Sequence, residues 1–129
     1  MIEFAVGVFL AIIVAVSSTY LKFDRDISFH STLLTVIASY YILFSFLSME
    51  AIWAELSVSI FFIALAFLGA TRLPLLIGIG FILHGIFDLF HSSIIDNSGV
   101  PSWWPLFCMA VDVVLGLWFI YLVKVKKYF

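Results

Sequence analysis

Charge is scarce in this chain, and that scarcity excludes most of what a protein of its length might be. Asp, Glu, Lys and Arg make up 11% of the 129 residues, against 65% hydrophobic residues and a mean hydropathy of +1.26. A soluble domain carries about half apolar and about a quarter charged residues, so a water-soluble fold is excluded and an integral membrane protein is implied. Cysteine occurs once, at Cys108, which rules out an intramolecular disulfide framework. There is no nucleotide-binding loop, no Ser-His-Asp constellation, no basic patch for nucleic acid, no internal repeat and no low-complexity tract. The net charge of −2 decides little, because in a bilayer the placement of charge matters more than its sum.

What is present is a series of long apolar runs. Crossing about 30 Å of hydrocarbon at 1.5 Å per residue takes roughly 20 residues, and five stretches qualify, at about 3–21, 29–48, 53–70, 74–94 and 105–123. Polar or turn-forming segments separate them: KFDRDIS, MEAIWAE, ATRLP and DNSGVPSWWP. The expected fold is therefore all-α, a single polytopic bundle of five spans. The first run follows Met-Ile-Glu with no Lys or Arg ahead of it, so it reads as a spanning helix rather than a secretory signal.

Cations set the expected orientation, since cytoplasmic loops retain Lys and Arg. With five spans, Lys22, Arg25, Arg72, Lys124, Lys126 and Lys127 all fall on one side and none on the other. That predicts the N-terminus outside and the C-terminus inside, in a cell inner (cytoplasmic) membrane. Trp53, Trp103 and Trp104 are then expected at the outer interface, where indole rings favour the headgroup level. The acidic residues distribute the other way: Glu3, Glu50, Glu55, Asp88, Asp96 and Asp112 belong to the outer half, and only Asp24 and Asp26 to the inner loop.

Within the fourth run, LHGIFDLFH (83–91) places His84, Asp88 and His91 at steps of four and three, on one helix face within about 60° of arc. Counting along the axes puts Asp112 level with Asp88, Cys108 level with His91, and Glu55 at the depth of His91, with Glu50 at the mouth. Ionisable groups inside a bilayer cost about 2.5 kcal/mol or more each and normally face the bundle interior. Four carboxylates (Glu50, Glu55, Asp88, Asp112) against two histidines and no intramembrane Lys or Arg leave negative charge that protons or a cation must balance. A divalent metal, zinc foremost, would do so. The expected ligand sets are His84 with Asp88 and Asp112, or Asp88 with His91 and Glu55, with two ions as a further option.

Bland readings stand beside these. A buried His–Asp pair can be purely structural, and Cys108 reads as an inert buried thiol. His30 reads as an interface residue, Asp96 and Glu3 as solvated, Tyr40 and Tyr41 as packing or lipid-facing, and Gly78, Gly80 and Gly85 as helix contacts.

Trp53-x-Glu55, the H-G-x-x-D-x-x-H of residues 84–91 and Cys108-x-x-x-Asp112 together resemble a family of small uncharacterised bacterial integral membrane proteins, over roughly residues 50–120. That family's pattern has a second consecutive His where Ser92 stands and Cys where Val111 stands. The resemblance implies a shared polar site at Glu55, His84, Asp88, His91 and Asp112, and implies no activity.

Three functions fit. The first is metal-dependent hydrolysis of a lipid or amphiphile, with a metal on His84, Asp88 and Asp112 lowering the pKa of bound water toward ~7 and Glu55 or His91 as general base. The second is a carrier of metal ions or protons, against which stands the lack of ionisable residues in the cytoplasmic halves of the spans. The third is a structural or partner-binding membrane protein whose polar cluster specifies packing. The expected partners are the bilayer, a lipid or amphiphilic ligand and further copies of the chain, with no nucleic acid.

Overall fold

The computed structural model describes residues 1–129 and is all-helical. Five helices are long and apolar enough to cross a membrane: α1 (Ile2–Leu21), α2 (Ile27–Ser48), α3 (Ile52–Thr71), α4 (Leu75–Ile94) and α5 (Trp104–Tyr121). They are the helices of a multi-pass membrane protein, and no boundary lies more than two residues from its expected position. Within them, several hydroxyls are paired locally: Ser17, Thr19, Ser57 and Thr71 each donate to the carbonyl four residues earlier, which spares those O–H groups an unpaired exposure to hydrocarbon.

Local chemistry ends each helix where the polar punctuation falls. Lys22 turns left-handed (φ 64°) after α1 and returns its N–H to Ser18 and Thr19. Asp26 caps α2 by accepting from the Ser28 N–H at 2.9 Å, the usual role of a short acidic side chain there. Pro105 sits in the first turn of α5, where its missing N–H costs nothing.

The packing is centred on α4 and α5, which lie against each other; α1 packs on α5, α2 on α3, and α3 on α4. About 44% of each central span is buried, against 17% of α1, so α1 is a peripheral helix whose Phe9, Ile12 and Val16 face outward. The core joins Ala11, Leu34, Ala66, Ile77, Phe81, Val111, Leu115 and Phe119 across all five helices. Gly78 and Gly80 fill their expected contact role, lying against Ile120 and Leu34.

Two ring side chains at span ends turn into the bundle. Trp53 is 79% exposed and Trp103 about half exposed, but Trp104 is buried. It opens α5 on the face turned toward α2 and packs on Tyr40 and Phe44, with ring centroids at 4.9 and 5.1 Å. His30 turns inward as well. It lies in the first turn of α2, buried, its Nε2–H donating to the Asp24 carbonyl at 2.9 Å and its ring packed against Trp118 and Phe119.

Candidate metal centre

His84 and Asp88 stand four residues apart on α4, and Cys108 and Asp112 stand four apart on α5, so each helix presents one pair of side chains from a single face. The two faces meet at Gly85. A Cβ there would lie 3.3 Å from the Asp112 Cβ and 3.4 Å from the Met109 carbonyl oxygen, so the absent side chain lets α5 approach closely enough for Asp112 to reach His84. Asp112 therefore packs against Gly85, and its carboxylate comes within 4.8 Å of the Asp88 carboxylate, in keeping with the matched depths read from the sequence.

The resulting tetrad is closed off from solvent. Asp88 and Asp112 have no exposed surface and His84 and Cys108 almost none. His84 Nδ1–H donates to Asp112 Oδ2 at 2.7 Å and lies 3.5 Å from Asp88 Oδ2. The Cys108 Sγ–H points to Asp112 Oδ2 at 3.7 Å. One donor atom from each of the four residues falls within 4.8 Å of every other. Asp88 Oδ2 and Asp112 Oδ1 are buried without any hydrogen-bond donor, although a buried carboxylate oxygen ordinarily has one. This donor set of one imidazole, one sulfur and two carboxylates, with two oxygens unsatisfied, fits a divalent ion. A hydrogen bond from Nδ1 and a cation shared by the same atoms are alternative ways of satisfying them. Of the expected ligand sets, the structure brings together His84, Asp88 and Asp112, and it adds Cys108.

His91 and Glu55 form a second, separate group. The buried His91 Nε2–H donates to both Glu55 oxygens, at 2.8 and 3.0 Å, and Asn97 Nδ2–H donates to Glu55 Oε2 at 2.8 Å. Glu55 and His91 thus engage each other and Asn97, so the set Asp88, His91 and Glu55 is not assembled as ligands around one point. Between the two groups stands Tyr41 of α2. Its hydroxyl donates to Asp88 Oδ1 at 2.6 Å, and its ring stacks on His91 with centroids 4.1 Å apart and planes within 10°.

Two cavities adjoin these groups from different sides. A polar one of about 430 Å³ is lined by Glu50, Asp96, Asn97, Ser98 and Ser102 and reaches His91. The connection between α4 and α5 forms its wall, held down by the Ser98 N–H and hydroxyl on Glu50 at 2.9 and 3.0 Å. An apolar groove of about 300 Å³ between α1, α2 and α5 reaches Cys108.

Sequence reasoning missed two participants, Tyr41 and Asn97, and read a third, Cys108, as inert. Tyr41 reads as one more packing aromatic, although Leu34, Ala38, Tyr41 and Ser45, all buried, already mark an inward stripe on α2. Cys108 was legible as a partner of Asp112 from their spacing alone. Asn97 lies in a connection whose path no periodicity reveals.

No curated protein and no solved structure matches this chain. A family model does, over residues 2–125, nearly the whole of the bundle described above. The chain belongs to the family of unknown function DUF6010.

Proposed function

We propose that the protein is a metal-binding protein of the inner membrane, holding a divalent ion, zinc foremost, through His84, Asp88 and Asp112 between α4 and α5, near the outer face. One observation carries the reading: Asp88 Oδ2 and Asp112 Oδ1 are buried without donors beside an imidazole and a thiol, in helices that contain no Lys or Arg. Buried anions without a counter-charge are costly, and a bound dication would balance both carboxylates at once. The test is thermal unfolding in detergent with and without added zinc. Zinc should raise the melting temperature of the wild type, since a ligand of the folded state stabilises it by mass action. Asp88→Asn should abolish that increment. A purely structural hydrogen-bond network would show no zinc effect and would tolerate the substitution.

Hydrolysis of an amphiphile is a second reading, favoured by the polar cavity that reaches the buried His91–Glu55 pair. A metal in the tetrad would supply Lewis acidity. His91, fixed in orientation by Glu55, would take a proton from a water in the polar cavity, and Asn97 would hold Glu55 in place. His91→Gln should then remove lipid hydrolysis while leaving zinc content unchanged; loss of both together would contradict this division of roles.

A further inference from the structure

We infer that Cys108 is a fourth ligand of the ion, which makes the tetrad a closed nitrogen, sulfur and two-oxygen site for a borderline or soft ion such as zinc, cobalt(II) or cadmium, and not for magnesium, calcium or manganese. This rests on the metal-binding reading above and goes further in naming the ion class and the completeness of the shell.

The construction of the site supports it. Each of two facing helices contributes one i, i+4 pair, His84 with Asp88 and Cys108 with Asp112, and Gly85 lets the pairs interlock. Bond lengths of about 2.0–2.3 Å to nitrogen, oxygen and sulfur place the corners of a tetrahedron roughly 3.3–3.7 Å apart. The tetrad shows His84 Nδ1 to Asp88 Oδ2 at 3.5 Å, Cys108 Sγ to Asp112 Oδ2 at 3.7 Å, and His84 Nδ1 to Asp112 Oδ2 at 2.7 Å. The remaining separations lie within 4.8 Å, so closing on one ion requires the short pair to spread and the longer ones to draw in. Hard ions such as magnesium and calcium take six or more oxygens and keep waters, whereas this site offers two carboxylates, has no exposed surface at either, and has sulfur and imidazole as its remaining donors. Thiolate and imidazole select zinc-like ions.

Sulfur in the fourth position also bears on role. A four-ligand protein shell is the arrangement of an ion that is held, while ions that activate water keep one position open. Closure through Cys108 therefore favours a resident or carried ion over the hydrolytic reading.

Cobalt(II) tests this with the wild-type protein, because Cys108 is the sole cysteine and any thiolate-to-cobalt charge-transfer band in the near ultraviolet must arise from it. The expected spectrum shows that band together with intense visible d–d bands of tetrahedral cobalt. Zinc should displace the cobalt, and a large excess of magnesium or manganese should not. Cys108→Ser should keep weaker visible bands and lose the near-ultraviolet band. Cobalt bound without that band would overturn the inference and leave a three-ligand site standing; displacement by magnesium or manganese would overturn the ion class. Failure of the protein to bind cobalt or zinc at all would overturn the metal-binding reading itself, an outcome distinct from the other two.

Discussion

Removing one hydroxyl probes the tetrad without touching any ligand. Tyr41→Phe deletes the O–H that donates to Asp88 Oδ1 at 2.6 Å, while keeping the ring that stacks on His91. Asp88 Oδ2 already lacks a donor, so in the metal-free protein the variant leaves a fully buried carboxylate with no hydrogen bond. A hydrogen bond to a charged group is worth about 1.5–3 kcal/mol, which at about 1.4 kcal/mol per decade corresponds to roughly 10–150-fold in an equilibrium constant. That loss falls on the folding of the metal-free protein; for the ion itself, deleting a group that orients a metal ligand costs about 10–100-fold in affinity. Zinc Kd, measured by competition with a chelator of known affinity, should therefore rise by one to two decades, and the metal-free protein should melt lower than wild type. An unchanged Kd in Tyr41→Phe, with zinc still bound, would refute the claim that Tyr41 holds Asp88 in its ligating position.

Gly85→Leu should unfold more easily than wild type by about 1–3 kcal/mol, the usual cost of overpacking, because its side chain must displace Asp112 and Met109; unchanged melting would contradict the close helix approach. Metal binding should weaken as pH falls, since ligation needs a neutral imidazole and ionised carboxylates and protons compete for the same atoms; zinc retention measured from pH 8 to 5 checks this, and retention unaffected at the acid end would count against His84 as a ligand. For orientation, single cysteines introduced at Glu50, Trp103 and Lys126 in a Cys108→Ser background should react with an impermeant reagent on intact cells at the first two positions only. Labelling at Lys126 but not at Trp103 would reverse the topology.

Much of the bundle was legible because bilayer thickness fixes helix length and the chain has few ways to hide charge. Five apolar runs became five helices with ends displaced by no more than two residues. The stripe of His84, Asp88 and His91 was legible for the same kind of reason, since steps of four and three share a helix face, and all three are buried. What could not be read was rotation between helices. Counting inward from the ends of α4 and α5 brings Asp88 and Asp112 together, but which face of α4 meets α5 is set by the close approach of Asp112 to Gly85. Trp104 illustrates rotation: one residue after the half-exposed Trp103, it turns inward. Tyr41 and His30 show a further limit, because an aromatic or imidazole near apolar neighbours looks the same whether it packs or bonds, and only the positions of Asp88 Oδ1 and the Asp24 carbonyl separate the two.

Elemental analysis of the protein purified without chelators tests the central claim most directly. Wild type should carry about one zinc-class ion per chain, the content of a single tetrahedral site, and Asp88→Ala, prepared in parallel, should carry none. A wild type that emerges metal-free and gains no thermal stability from added zinc, cobalt or copper would contradict the account.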